Sequence, residues 1–186
     1  MAGLEDKLID ILSSYKESFS EKNYTDEFYD TDPLMNVFGI TQELKRENKQ
    51  YWGRELGKCW EVLVRTLFEL TCKDFEPPKR VKRDEPVDFY VGYDAVDTKY
   101  RIGSGDSGTL KKFTAYGKMM KKQGYNPVIL LLRTDNLPAA LSKIDAGGWT
   151  RLESDAAFDY IREKTNFELK EWLIYLEKEN KLKINR

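Results

Sequence analysis

A chain of 186 residues with 40% hydrophobic and 13% aromatic residues can bury a sizeable core, which excludes general disorder. Its 31 Lys and Arg nearly balance 32 Asp and Glu, so a polyanion site must be a local patch rather than an overall field. The chain contains no histidine, which excludes imidazole-based triads, zinc sites with histidine ligands and histidine acid–base catalysis. A catalytic site would therefore use carboxylates, lysine, tyrosine or a metal.

The cysteines and the N-terminus bear on location. Cys59 and Cys72 lie far apart along one predicted helix, so they are not expected to form a disulfide, and a reducing cytoplasm fits best. Residues 1–7 lack the pattern of a signal peptide, and no apolar run approaches the length that spans a membrane. We expect a cytoplasmic protein with no membrane partner.

The first third of the chain is predicted to be helical. Apolar residues at helical spacing predict a helix over residues 2–20, residues 21–32 read as a loop that Pro33 ends, and Thr41 is a plausible N-cap for a helix through Gln50. The strongest helix runs from Tyr51 to about Cys72. Its apolar face consists of Leu56, Cys59, Trp60, Leu63, Leu67 and Leu70. Glu55 and Glu61 lie on opposite flanks of that face, which is where solvated glutamates ordinarily lie.

A β-hairpin is predicted over Pro86–Tyr100, with its turn at Gly92-Tyr93-Asp94. Alternation puts Asp88 and Tyr90 on one side of the first strand, with Val87, Phe89 and Val91 on the other. In the second strand Asp97 and Lys99 share one side, opposite Val96, Thr98 and Tyr100. Two carboxylates and an ammonium on a mostly apolar hairpin are costly unless they meet one another or a metal ion.

The remaining elements alternate between helices and strands. Helices are predicted over residues 109–122, 137–146, 154–164 and 166–179, and strands over residues 127–133 and 149–152. The order predicts an α/β fold, a central mixed β-sheet with an antiparallel hairpin, flanked by helices. We expect one domain over residues 1–186, with a helical N-terminal part (1–50), a core (51–152) and C-terminal helices (153–186).

The loop at residues 100–109 is rich in glycine and hydroxyl groups. It lacks the glycine-lysine-hydroxyl ending and the G-x-G-x-x-G spacing of nucleotide-binding loops, so no nucleotide cofactor is expected. A basic helix that begins after such a loop suits a phosphate backbone. The expected DNA-binding residues are Arg101, Ser104, Ser107, Thr109, Lys111 and Lys112.

Asp88 with Asp97-x-Lys99 is the arrangement that a metal-dependent phosphodiesterase needs. Two carboxylates on adjacent strands can bind a hard cation such as Mg²⁺, and Lys99 can orient the attacking water and stabilise the developing anion. This chemistry requires no histidine. The triplet alone is common, and its meaning depends on the hairpin, on the helix that precedes it and on the basic helix that follows it.

The segments Pro86-Val87-Asp88 and Asp97-Thr98-Lys99 resemble the motif of the PD-(D/E)xK nuclease superfamily, with Val87 interrupting its proline–aspartate pair. The resemblance implies a restriction-endonuclease-like fold, Mg²⁺ as cofactor with Mn²⁺ as a substitute, and catalytic Asp88, Asp97 and Lys99. Asp88 and Asp97 would bind the metal. The superfamily often adds a glutamate from the preceding helix, which implies Glu61 as a metal ligand and Glu55 as the second candidate.

The length and the run Asp97–Gly108 are similar to the small subunit of heterodimeric type IIS restriction endonucleases. The resemblance implies a bacterial enzyme that cuts one strand of double-stranded DNA, while a large subunit recognises the site and nicks the other. Two alternatives remain. One is an orthodox homodimeric restriction endonuclease that reads its own palindrome, and the other is a non-catalytic interaction module in which Asp88, Asp97 and Lys99 form a structural ion pair.

Overall fold

The computed structural model describes residues 2–20, 22–81 and 84–185. The helices are α1 (Ala2–Ser20), α2 (Pro33–Val37), α3 (Gln42–Glu47), α4 (Lys49–Thr71), α5 (Ser107–Lys122), α6 (Pro138–Gly147), α7 (Asp155–Thr165) and α8 (Leu169–Glu179). The strands are β1 (Asn23–Tyr24), β2 (Phe75–Glu76), β3 (Phe89–Val91), β4 (Asp94–Lys99), β5 (Ser104–Gly105), β6 (Asn126–Leu131) and β7 (Thr150–Glu153).

Five strands form a mixed sheet in the order β2-β3-β4-β6-β7. The β2–β3 and β3–β4 pairs are antiparallel, whereas the β4–β6 and β6–β7 pairs are parallel. Helices pack on both faces, so the predicted α/β fold with a mixed sheet and an antiparallel hairpin is confirmed. Strands β1 and β5 form a separate antiparallel pair that the sequence did not predict.

Alternation along the buried strand β6 divides the core between the two faces of the sheet. Val128 and Leu130 pack in the cluster that includes α4, α7 and α8, while Ile129 and Leu131 pack in the cluster that includes α5 and α6. A strand buried on both faces explains the continuous apolar run. No helix among the described residues is long and apolar enough to cross a membrane.

Capping residues set the helix boundaries near the N-terminus. Oγ1 of Thr41 accepts a hydrogen bond from the N–H of Leu44 at 3.2 Å, which confirms Thr41 as an N-cap. The helix ends at Glu47, however, and Asn48 caps α4, so the predicted helix through Gln50 is two helices. Asp32 caps α2, and Pro33 is the first residue of that helix rather than only the end of a loop.

The apolar face of α4 differs from the prediction at three residues, because Val64 and Phe68 are buried and Leu70 is exposed. Its buried row is Leu56, Trp60, Val64 and Phe68, at intervals of four residues. Leu70, which was predicted to face inward, is 80% exposed. Two residues beyond Phe68 correspond to a rotation of about 200° around the helix, so Leu70 lies on the opposite side.

Candidate active site

The β3–β4 hairpin carries the candidate site, and its turn lies where the sequence predicted it. Val91 pairs with Asp94 across the two-residue loop Gly92-Tyr93. Gly92 has a φ of +55°, a left-handed conformation that glycine adopts without steric cost. The hairpin therefore holds the end of β4 in a fixed position beside the residues that precede β3.

The pairing becomes irregular just before β3. Phe89 pairs with Val96, yet the N–H of Asp88 also donates to the carbonyl of Val96 at 2.8 Å. Residues 86–88 form a bend, and Val87 packs in the cluster of Tyr90 rather than in that of Phe89. The predicted alternation is therefore wrong at Val87, because a bulge-like irregularity shifts the register. Such irregularities redirect side chains, here that of Asp88.

Asp88 is tied to β4 through its side chain. Oδ2 of Asp88 accepts two hydrogen bonds from Thr98, one from the backbone N–H at 2.7 Å and one from Oγ1 at 2.6 Å. The carboxylate thus takes the place of a backbone acceptor at the point where regular pairing stops. These two bonds fix Asp88 next to the segment that carries Asp97 and Lys99.

Asp97 and Lys99 form an ion pair, with Nζ of Lys99 2.7 Å from Oδ1 of Asp97. The Asp97 side chain is 10% exposed, and that of Lys99 is 37% exposed. Burial raises the pKa of Asp97 to about 7; the Lys99 ammonium lowers it, but the nearby Asp88 carboxylate raises it further. Two close carboxylates share one ammonium, so the site has an excess of negative charge.

Lys99 stays protonated. Burial lowers its pKa, but the charges of Asp97 and Asp88 outweigh that effect, and the net shift is upward, with a smaller contribution from Glu61. Nζ of Lys99 also donates to the carbonyl oxygen of Thr98 at 3.0 Å. Lys99 therefore supplies a fixed positive charge and is not suited to accept a proton at neutral pH.

The two glutamates of α4 lie in different surroundings. Glu61 is 2.7 Å from Nζ of Lys58 and 3.5 Å from Nη1 of Arg65, and it is near enough to influence Lys99. Glu55 is half exposed, pairs with Arg54 at 2.9 Å and borders the apolar pocket that contains Trp52 and Cys59. Of the two, Glu61 is the glutamate associated with the hairpin.

The donor set suits a hard divalent cation. Carboxylate oxygens are the ligands that Mg²⁺ prefers, and the uncompensated charge of Asp88 and Asp97 favours a cation between them. Within residues 2–20, 22–81 and 84–185, no group of three or more Asp, Glu or Cys side chains is close enough to hold a metal. The fit therefore rests on Asp88 and Asp97, and a ligand role for Glu61 stays a prediction.

Beyond Lys99 a cleft of about 650 Å³ opens beside the hairpin. We call residues 22–32 the arm, and the cleft the arm cleft. It lies between the arm, the N-terminal turns of α4, the segment after β4 and the start of α5. Its lining residues include Tyr24, Lys45, Lys49, Arg54, Lys99 and Arg101. Sequence reasoning missed this cleft, because the short β1–β5 pair that closes it has no periodic pattern.

The predicted DNA-binding residues lie in different surroundings. Arg101 is committed to the protein: its Nε donates to the carbonyl and to Oδ2 of Asp135, both at 3.0 Å, and its Nη2 donates to the carbonyl of Thr25 at 2.8 Å. These contacts hold the guanidinium in place, and a DNA-binding role for Arg101 stays a prediction. Ser104 and Thr109 line the arm cleft, whereas Lys111 is exposed on α5. Ser107 begins α5, and Lys112 pairs with Asp84 at 3.3 Å on the surface.

A second charged cluster, which the sequence did not predict, surrounds Arg133 just after β6. Its guanidinium donates to Asp135 Oδ1 at 2.9 Å, to Asp32 Oδ2 at 3.2 Å and to Asp30 Oδ1 at 3.0 Å. The hydroxyl of Tyr100 donates to Asp32 Oδ2 at 2.6 Å. We call this set the Arg133 network. In the sequence only the spacing Arg133-x-Asp135 indicates this network, since Asp30 and Asp32 belong to the distant arm.

Lys45 extends the Arg133 network into the arm cleft. It is almost fully buried, pairs with Glu27 of the arm and donates from Nζ to the hydroxyl of Tyr100 at 2.9 Å. Burial lowers the pKa of Lys45, although Glu27 opposes the shift. The network thus binds the arm to α3 and to the end of β4.

Comparison of the chain with protein-family models, with curated proteins and with solved structures found no match.

Proposed function

We propose that this chain is a metal-dependent endodeoxyribonuclease with a restriction-endonuclease-like fold, which acts as the strand-cutting subunit of a heterodimeric type IIS restriction endonuclease. The observation that carries the proposal is the junction of Asp88, Asp97 and Lys99 at the hairpin, on the rim of a cleft. Functional sites often contain such a close pair of carboxylates beside a cleft, with one carboxylate buried and its pKa raised.

Each residue has a separate task in this proposal. Asp88 and Asp97 hold Mg²⁺ or Mn²⁺, and Thr98 orients Asp88 through two hydrogen bonds. A metal held by these two carboxylates would supply polarisation of the phosphodiester and a lowered pKa for a coordinated water. The ammonium of Lys99 donates hydrogen bonds at Nζ, which orients the attacking water and stabilises negative charge on the phosphate oxygens.

Support for a subunit role comes from charge. The formal net charge of −1 gives little general attraction for DNA, and a chain that a partner delivers to DNA does not need it. The absence of histidine also leaves the carboxylate–metal–lysine chemistry as the one that the composition favours. Cytoplasmic location and a large recognition subunit are part of the proposal.

The test is nicking of supercoiled plasmid by this chain alone and with candidate partner subunits, in Mg²⁺ and in EDTA. Asp88→Ala, Asp97→Ala and Lys99→Ala should each abolish nicking with the fold intact by circular dichroism. Glu61→Ala should reduce it about tenfold.

Asp155→Ala and Lys170→Ala are matched controls, because these residues form an exposed ion pair with a 2.6 Å separation. A wild-type rate in Asp88→Ala, Asp97→Ala or Lys99→Ala removes that residue from the site, and site-specific cutting of both strands by the chain alone would favour the homodimer.

One observation favours a second candidate, a non-catalytic interaction module. Asp97 and Lys99 form a direct 2.7 Å ion pair, as a purely structural pair would. Calorimetric titration with Mg²⁺ or Mn²⁺ separates the two functions. A nuclease site binds the metal and loses it in Asp97→Ala, whereas a structural pair shows no binding in the wild type.

A further inference from the structure

The arm cleft has the dimensions of a site for a small ligand. Its volume of about 650 Å³ lies within the roughly 300–1,000 Å³ of pockets that enclose one organic molecule. A nucleotide or two fits in such a space, whereas a segment of duplex does not. Because Lys99 lines the cleft, whatever occupies it lies next to the candidate active site.

Tyr24 presents an aromatic ring at the edge of this cleft. The ring is 78% exposed, although the backbone that carries it is fixed on both sides. Tyr24 pairs with Ser104, and the N–H of Thr25 donates to the carbonyl of Gly103 at 3.0 Å. An exposed aromatic ring on a fixed backbone offers a face on which a base of any sequence can stack.

Lys49, the first residue of α4, also lines the cleft. The four other cations of the cleft are engaged, Lys45 with Glu27, Lys99 with Asp97, Arg54 with Glu55 and Arg101 with Asp135. Lys49 forms no ion pair with another described residue. A phosphate would therefore meet an ammonium that no described residue neutralises, in addition to the N-terminal end of a long helix.

We propose that the arm cleft holds an unpaired nucleotide of a DNA strand, with its base stacked on Tyr24 and its phosphate at Lys49, next to the bond that Lys99 and the carboxylates attack. This inference rests on the proposed function and adds a preference for a single-stranded segment. Aromatic stacking combined with a cationic wall is the usual basis of single-strand binding.

Binding of a short fluorescein-labelled oligodeoxynucleotide, single-stranded or annealed as duplex, tests this by fluorescence anisotropy in EDTA. The wild type should bind the single strand more tightly. Tyr24→Ala should weaken that binding about tenfold, and Tyr24→Phe should restore it, because stacking needs the ring and not the hydroxyl. Lys49→Ala should weaken binding and lower the slope of log K against log salt by about 0.7.

Tyr175→Ala and Lys178→Ala are matched controls, since both residues are exposed on α8, which contributes nothing to the cleft. Tighter binding of the duplex, or equal losses in Tyr24→Ala and Tyr175→Ala, would overturn the inference. Because the assay excludes metal, its outcome is independent of cleavage. If plasmid nicking fails while Tyr24→Ala weakens binding, the nuclease proposal falls and the strand site stands.

Discussion

Two charged clusters lie at the same edge of the sheet, one at Asp97 and Lys99 on β4 and one at Arg133 after the neighbouring parallel strand β6. Both clusters are largely buried. In the Arg133 network each charged side chain contacts at least one opposite charge. Asp135 accepts hydrogen bonds from Arg133 and Arg101, and its pKa is lowered because these bonds outweigh the effect of burial. At the hairpin one ammonium serves two carboxylates, and the pKa of Asp97 is raised.

The difference separates a structural cluster from a candidate functional one. Buried charges that are paired and hydrogen-bonded hold elements in place, as Arg133 holds Asp30 and Asp32 of the arm. Buried charges that are incompletely neutralised cost stability and are retained where a ligand completes them. The sequence alone cannot tell the structural cluster from the candidate functional one, because Asp97-x-Lys99 and Arg133-x-Asp135 have the same spacing of opposite charges.

The largest expected effect is on the stability of the Arg133 network. Arg133→Met removes the cation and leaves Asp32 and Asp135 buried without their main partner, so we expect a loss of about 3–5 kcal/mol in the free energy of unfolding. Urea unfolding measures it. Arg162→Met is the control, because Arg162 and Asp159 form an exposed pair, and it should cost less than about 0.5 kcal/mol. Equal losses in the two variants would show that the network does not hold the arm.

The second prediction concerns the sign of a charge removal. Because the pKa of Asp97 is about 7 in the folded protein against an ordinary value of 3.8, its ionisation opposes folding. The stability that this group contributes is present at low pH and is lost as the pH rises through 7. Asp97→Asn escapes that loss. The free energy of unfolding of Asp97→Asn minus that of wild type should be about 2 kcal/mol higher at about pH 8 than at about pH 5. Urea unfolding in EDTA measures it.

Asp135→Asn is the matched comparison for Asp97→Asn. The lowered pKa of Asp135 means that its contribution is present above the ordinary pKa and is lost as the pH falls through its folded-state value. The substitution removes an acceptor from two buried guanidinium groups, so it should destabilise the fold by about 2 kcal/mol at neutral pH. If both substitutions changed the free energy of unfolding in the same direction, the two clusters would not differ in this respect.

Local patterns predicted the hairpin, the mixed sheet and most helices. Glycine at the turn, period-two alternation and apolar runs are short-range signals, so the turn at Gly92 and the adjacency of Asp97 and Lys99 followed from them. The bulge-like irregularity was not predictable, because it depends on how Asp88 meets Thr98 across the hairpin. Strict alternation predicts Val87 on the side of Phe89, whereas Val87 packs in the cluster of Tyr90.

Long-range partners explain what the sequence could not reveal. The arm closes the cleft through a two-residue strand, in which Asn23 pairs with Gly105, 82 positions later. Arg101, in a loop of small polar residues, read as a DNA contact, yet it pairs with Asp135, and no local pattern joins those two positions. The Arg133 network was not predicted for the same reason, because Asp30 and Asp32 lie in the arm, 103 and 101 positions before Arg133.

The smallest expected effect tests whether the hydroxyl of Thr98 positions Asp88. Thr98→Val keeps the shape and the backbone N–H bond but removes the 2.6 Å bond from Oγ1. We expect a loss of about 1 kcal/mol in stability and a fall of about tenfold in plasmid nicking. The Mg²⁺ concentration for half-maximal nicking should rise, because a less constrained carboxylate holds the metal more weakly.

Thr165→Val is the control, since Thr165 is also buried and its Oγ1 donates to the carbonyl of Ile161 at 2.7 Å, in helix α7 and apart from the hairpin. It should lose similar stability with an unchanged requirement for Mg²⁺. If Thr98→Val behaves in the same way, the bond to Asp88 is only part of the packing, and the irregular pairing at the hairpin serves the fold alone. A changed Mg²⁺ requirement in Thr98→Val alone would connect the irregularity to the site and would separate the hairpin cluster from the Arg133 network by function.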